Sequence, residues 1–234
     1  CLLYPSDRAD FRMVVYNLDG TVATMGGNAI GCLAKYAYDR GIIPPERLSV
    51  SVETAGGVRA VRLYKRNGIV RAAEVAMGRA RFESVAVPVE LPVPRVLDYA
   101  VDVGRGYRIT CVNVGNPHAV AFVEDVDTLD VASEGPLLEH APIFPERVNA
   151  EFVRVLDETT LRMRVWERGS GETWACGTGA CAAVAAAVEN GLCATDTDIA
   201  VKVPGGVLSV RYSSDGSLRM RGEIDLVFEG VVEL

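Results

Sequence analysis

The chain has 234 residues, enough for one large or two small domains, and its 49% apolar and 24% charged content is that of a globular protein. A formal net charge of -7 argues against a nucleic-acid surface, and no apolar run reaches the roughly 18 residues that a membrane span needs. Six cysteines (Cys1, Cys32, Cys111, Cys176, Cys181 and Cys193) show neither a disulfide framework nor a metal spacing, so no metal site and a reducing, cytoplasmic setting are expected.

In chain order, Arg12 to Tyr16 reads as a short apolar strand, and Asn28 as the N-cap of a helix from Ala29 to Arg40 closed by Gly41. Val58 to Lys65 and Ile69 to Met77 form a hairpin through Asn67-Gly68. Val87 to Pro94, with three prolines, reads as a linker. Tyr107 to Val112, Ala119 to Val123, Ala150 to Asp157 and Thr160 to Trp166 read as strands. Thr178 is a second N-cap, for a helix from Gly179 to Asn190 closed by Gly191, and that helix is apolar on nearly every face, so it must be enclosed. Val207 to Tyr212 and Ser217 to Arg221 make a last hairpin through Asp215-Gly216.

These elements repeat. Asn17 to Ile42 matches Glu167 to Leu192 at an offset of 150 residues: a small-residue turn, an alanine-rich run, a glycine stop. Val52 to Tyr64 then matches Val201 to Ser213, and Asn67-Gly68 matches Asp215-Gly216. Three features in one order point to a duplicated unit, and a duplication packed face to face leaves one cleft between two similar loops. The expected fold is α/β in composition (α+β in arrangement), with two pseudo-symmetric domains, each a mostly antiparallel sheet rolled around a central helix. Residues 1-88, completed by 223-234, would form the first and 89-222 the second. Equivalence of the halves would place on the order of 50 further residues ahead of the first.

Cys176 stands before the second helix, where the backbone N–H groups of Gly177, Thr178 and Gly179 lack intrahelical partners. Such a site favours an anion, either the Cys176 thiolate, with its pKa lowered, or a bound carboxylate. The plainer reading is a small core residue on a tight turn, and Cys181, Cys32, Cys111 and Cys193 are read that way. Asn113 to His118, Phe144 to Asn149 and Glu167-Arg168 are further polar turns at strand ends; Glu167 takes the repeat position of Asn17. His140, without such context, reads as a surface residue.

The stretches ERGSGETWACGTGACAA, GNPHAVAFV, FPERVNAEFV, VKVPGGVLSVR and NLDGTVATMGGNAIGCLAKY together resemble diaminopimelate epimerase, of the amino-acid racemases and epimerases that work without pyridoxal phosphate. Proline racemase relatives keep a CGTG without this surrounding set. The resemblance implies interconversion of LL- and meso-2,6-diaminopimelate in lysine biosynthesis, no cofactor, a small amino-acid substrate with two polar heads, and a homodimer. Two groups on opposite walls would exchange protons at Cα, one as base and one as acid. It implies catalytic roles for Cys176 and for the position of Gly26, with His118 and Glu167 supporting. Substrate contacts would fall to Asn17, Gly27, Asn28, Asn116, Asn149, Glu167, Arg168, Gly177 and Thr178, Arg168 being suited to the distal carboxylate by its fork.

The sequence also departs from the family pattern. Where the family reads Met-Cys-Gly-Asn this chain reads Met25-Gly26-Gly27-Asn28, and Gly26 cannot carry a proton. Gly31 replaces an arginine, Gly222-Glu223-Ile224 stands for a Gly-Pro-Ala turn, and a glycine-rich amino-terminal segment with a substrate-contacting asparagine is missing. Full epimerase activity is therefore expected to be impaired. A racemase acting on another amino acid, or a non-catalytic ligand-binding relative, are the other readings.

Overall fold

A computed structural model describes residues 1–16, 20, 22 and 26–231. Three helices and fourteen strands form it. The first half holds β1 (Leu2–Tyr4), β2 (Phe11–Val14), α1 (Gly27–Asp39), β3 (Ser49–Thr54), β4 (Gly57–Arg66) and β5 (Ile69–Arg79). Then come β6 (Tyr99–Val101), β7 (Tyr107–Asn113), β8 (Pro117–Phe122), α2 (Val131–Glu139), β9 (Asn149–Asp157), β10 (Thr160–Glu167) and β11 (Gly171–Thr173). The chain finishes with α3 (Gly177–Glu189), β12 (Asp198–Val203), β13 (Gly206–Tyr212) and β14 (Ser217–Glu223).

The strands join one sheet in the order β1-β2-β3-β4-β5-β14-β13-β12-β10-β9-β8-β7-β6, with β11 on β10. Most pairs are antiparallel; β2/β3, β8/β9 and β10/β12 are parallel. The repeat extends to the register of the ladders. Leu2, Leu3 and Tyr4 pair with Val14, Met13 and Arg12, and the residues 150 further on, Phe152, Val153 and Arg154, pair with Arg164, Met163 and Arg162. Ser51 opposite Ala60 in β3/β4 has its counterpart in Ala200 opposite Ser209 in β12/β13. Strand pairing of this kind fixes which side chains face inward, because a one-residue slip would turn every apolar side chain outward. The halves are joined where β5 pairs with β14 through Ser217↔Arg79 to Glu223↔Ala72.

Helix α3 is packed by β7, β8, β9, β10, β12, β13 and β14, and Gly177 through Ala187 are all buried. The expectation of an enclosed helix holds, and alanine is what lets seven strands approach it closely. Helix α1 is packed by β3, β4, β5 and β14. It buries the stripe Gly27, Ile30, Gly31, Ala34, Lys35 and Ala37 and leaves Cys32 exposed, which corrects the reading of Cys32 as core. Lys35, on the buried stripe, reaches Asp39 one turn on at 2.6 Å.

Two further corrections concern boundaries. The N-caps are Gly26 and Cys176, two residues before Asn28 and Thr178, because the extended-to-helical change of backbone falls at the turn residue itself. The stretch 87–94 is no free linker: Val87 and Val89 are buried with α2 and β6 to β9 in a second apolar cluster. Helix α2 has no counterpart among the elements read from the sequence; Gly135 and Pro136 lie inside it and mask its periodicity. The expected first strand is Phe11–Val14, because Phe11 and Met13 are the residues that point into the core.

Both long helices end alike. Gly41 and Gly191 take φ of +71° and +72°. The N–H groups of Ile42 and Leu192 reach back to the carbonyls of Ala37 and Ala187 at 2.9 and 2.8 Å, the six-residue closure for which glycine's left-handed freedom is suited.

Candidate active site

Cys176 has extended backbone (φ -126°, ψ 114°) and caps α3 with its own sulfur. The N–H of Gly179 donates to Sγ at 3.3 Å, and Thr178 Oγ1 lies 3.4 Å from it. Burial, then the carboxylates of Glu167 and Glu151, push the Cys176 thiol well above its ordinary pKa, and the contacts with Thr178 and Gly179 only partly oppose this. This direction is opposite to the lowered pKa expected at the helix N-terminus: at a site this dry, desolvation and two nearby carboxylates favour the thiol.

Gly26 occupies the matching N-cap of α1. Its carbonyl accepts from Ile30 N–H at 3.0 Å, as Cys176's does from Ala180 N–H at 2.9 Å. Its φ is -150°, and a β-carbon there would meet Ala29 Cβ at 3.4 Å and Val15 Cγ2 at 3.6 Å, ordinary contacts. Among the described residues nothing demands glycine at this position.

The two helix N-termini meet at one methionine. A β-carbon on Gly27 would lie 3.2 Å from Met220 Cε, and one on Gly177 would lie 2.9 Å from Met220 Sδ and 3.1 Å from Asn28 Oδ1. Gly27 and Gly177 are therefore glycines of close approach, and Asn28, on an exposed turn of α1, reaches across to the start of α3. A groove of about 770 Å³ opens beside them, bordered by Gly27, Asn28, Ala175, Gly205, Met220 and Ile224.

The remaining expected residues lie on β8, β9 and β10 and the turns at their ends, and of these Glu167 acts on Cys176. His118, at the start of β8, is fully buried; its Nε2 lies 2.8 Å from Asn116 Oδ1 and its Nδ1 lies 2.7 Å from Glu151 Oε1. Asn149 is a clamp: its Nδ2 donates to the Pro117 carbonyl at 2.8 Å and its Oδ1 accepts from Arg168 N–H at 2.9 Å, so one amide ties the two polar turns together. Glu167 Oε1 accepts from Thr173 Oγ1 at 2.5 Å. The Arg168 guanidinium is exposed and donates to the Glu146 carbonyl at 2.9 Å. Asn17 lies outside the described residues. His140 is exposed, as expected of a surface residue. Among the described residues no His, Cys, Asp and Glu side chains gather as a metal-ligand group.

One residue escaped the reading of the sequence. Glu151 is fully buried, two residues along β9 from Asn149, which pairs with His118 in the parallel β8/β9 ladder. Its signal was a carboxylate in the otherwise apolar run Ala150–Val153, but only the strand register puts it beside the histidine.

Residues 110–227 match the family model described as diaminopimelate epimerase. The chain is 43% identical to the diaminopimelate epimerase of Acetivibrio thermocellus over 100% of its own length and 82% of that protein's. It is 46% identical to that of Pelotomaculum thermopropionicum over 98% and 81%. Its fold is shared with a hydroxyproline epimerase from Agrobacterium vitis (TM-score 0.72, 19% identity, 95% of this chain and 70% of that one). It is shared equally with a probable proline racemase from Agrobacterium radiobacter (TM-score 0.71, 18% identity, 94% and 72%). Identity at this level over the whole chain shows that the protein belongs to the diaminopimelate epimerase family.

Proposed function

We propose that the chain binds diaminopimelate between the N-termini of α1 and α3 as an isomerase that works by proton transfer at Cα, with one wall of the reaction disabled. The observation that carries this reading is the equivalence of the two N-caps: same offset, same capping carbonyl bond, both helix starts packed on Met220, yet a thiol at Cys176 and no side chain at Gly26. Inversion needs a proton removed from one face of Cα and another delivered to the opposite face. Cys176, held as a thiol, is suited to the delivery: its S–H bond breaks, the proton bonds to Cα, and the thiolate left behind accepts the Gly179 N–H. The open N–H groups at each helix start oppose the cost of carboxylate and carbanion charge. No group at position 26 takes a proton from the opposite face, so the exchange left to this chain is at the Cys176 face alone, where the minor thiolate form removes the Cα proton and the thiol so formed returns one to the same face.

Asn28, Asn116, Asn149, Glu167, Arg168, Gly27, Gly177 and Thr178 are read as the walls of the substrate site, with Arg168 toward the distal carboxylate. Two halves, 1-88 with 223-234 and 89-222, fit the repeat, and the N–H of Ile224 donating to the Arg71 carbonyl at 2.9 Å supports the tail's place in the first. A homodimer in the cytoplasm belongs to the same reading, and the six free cysteines accord with a reducing compartment.

The test is proton NMR of LL- and meso-diaminopimelate, incubated separately with the protein in D₂O. Slow exchange at Cα without inversion, increasing with pH as the Cys176 thiolate forms and vanishing in Cys176→Ala, is expected. Inversion of both isomers by the unaltered chain would show that another group serves the Gly26 wall. An absence of exchange together with saturable binding would favour the non-catalytic relative instead.

A further inference from the structure

Glu151 is the one buried carboxylate beside Cys176 with no role in the reaction just described. Its Oε1 is bonded to His118 Nδ1 at 2.7 Å, while its Oε2 is buried and has no partner among the described residues. Gly179 explains how close it stands to the thiol. A β-carbon on Gly179 would lie 2.8 Å from Glu151 Oε1 and 3.3 Å from Cys176 Sγ. Carboxylate and sulfur thus look at each other across the space of one missing methyl group, and the second glycine of Cys176-Gly177-Thr178-Gly179 keeps that space open. An unpaired carboxylate oxygen in so dry a place is costly, so a fold that retains it spends stability at this point.

We propose that Glu151 is a positioning residue for the reaction: held in place by His118, it keeps the proton on Cys176 in the free protein, so that this wall begins as the proton donor. The proposal rests on the reading of Cys176 as a proton-transfer group, but it concerns the state of the thiol before substrate arrives. His118 holds Oε1 through Nδ1 and faces the Asn116 side-chain oxygen through Nε2, and of this pair it is the carboxylate, not the ring, that acts on the Cys176 sulfur. The charged and titratable groups around this pair are His118 on β8, Glu167 on β10, Cys111 on β7 and Cys176 at the start of α3. None of them is a fixed cation. Negative charge placed beside the sulfur makes its thiolate less favourable.

The experiment is a pH titration of the Cys176 thiolate, read as the difference in absorbance at 240 nm between each protein and its Cys176→Ala counterpart. Glu151→Gln keeps the shape and the bond to His118 but removes the charge. It should move the thiolate midpoint down by one pH unit or more, equivalent to an increase of about tenfold in thiolate at a fixed pH. Glu151→Asp, which keeps the charge, should return the midpoint toward that of the unaltered chain, a rescue that a purely structural role would not give. An unmoved or raised midpoint in Glu151→Gln overturns the proposal. Should that variant not fold, the unaltered chain still decides: the ¹³Cβ shift of Cys176 should remain that of a thiol to about pH 9, beyond the ordinary value for cysteine, and thiolate below about pH 8 refutes the idea. Neither titration uses substrate, so the proposal and the assigned reaction stand or fall separately.

Discussion

On the proposed reading, position 26 decides the activity of this chain, because glycine offers no side chain to carry a proton. The backbone there is extended and the space for a β-carbon is free, so Gly26→Cys should fold as the unaltered chain does. In the D₂O assay it should gain about 10²–10⁴-fold in inversion, the usual worth of a positioned acid or base; a correctly folded Gly26→Cys protein with no gain would remove the role assigned to this position. Gly31 is different, since a side chain there would press on Ala73 Cβ at 3.2 Å and Ile224 Cδ1 at 3.4 Å, and nothing in the structure explains why this chain dispenses with the family's arginine. Glu151 carries a second residue-scale consequence. Burial holds its folded-state pKa above the usual glutamate value, so the folded state binds its proton more tightly than the unfolded one. Stability from this group is fully present below the ordinary glutamate pKa and is lost as pH rises through the folded value. The depressed carboxyls of Asp10 and Asp98 act in the opposite sense, lost as pH falls. Urea unfolding across pH 4 to 8 should therefore show a decline on the alkaline side that is weaker in Glu151→Gln, whereas equal slopes in the two proteins would mean that Glu151 titrates normally.

At the scale of the element, α3 is a helix made possible by small side chains. With Ala183 fully buried in a ring of strands, Ala183→Leu inserts three carbons where interiors hold none to spare, and a loss of about 1–3 kcal/mol is expected in denaturant unfolding. A leucine at an exposed position of α1, as in Tyr36→Leu, would show no such overpacking penalty. Gly191 closes α3 at φ +72°, and Gly191→Ala should cost about 1 kcal/mol through the left-handed backbone alone, since nothing lies within 4 Å of the added carbon. A neutral result would show that the helix end relaxes out of its six-residue closure.

At the scale of the molecule, the site exists because two half-sheets share one ladder, β5 on β14, and because Met220, near its middle, fills the gap between two helix N-termini. Met220→Ala should cost about 2–5 kcal/mol, the range for deleting a buried methionine side chain. In a Gly26→Cys background it should reduce turnover beyond what the loss of folded protein explains, because the spacing of the two walls is then unset. Turnover per folded molecule that matched Gly26→Cys alone would show the ladder sufficient to hold the walls.

The sequence by itself determined the local and the periodic features of this protein. The repeat, the two helices with their glycine stops, the Asn67-Gly68 and Asp215-Gly216 hairpins, the enclosure of α3 and the candidacy of Cys176 and His118 all follow from short-range preferences: turn chemistry, helix ends and apolar patterning, which act over a few residues and leave their mark in the string. Tertiary structure alone decided what depends on distance between distant residues. Helix α2, with Gly135 and Pro136 inside it, is held by packing against β9, β10 and β11 where its own propensity is poor. The exposure of Cys32 follows from α1 being covered on one side. The upward push on the Cys176 thiol comes from burial and from Glu167 and Glu151, 9 and 25 residues away in the chain, and electrostatic energy depends on spatial separation and on the exclusion of water, neither of which is written in residue order.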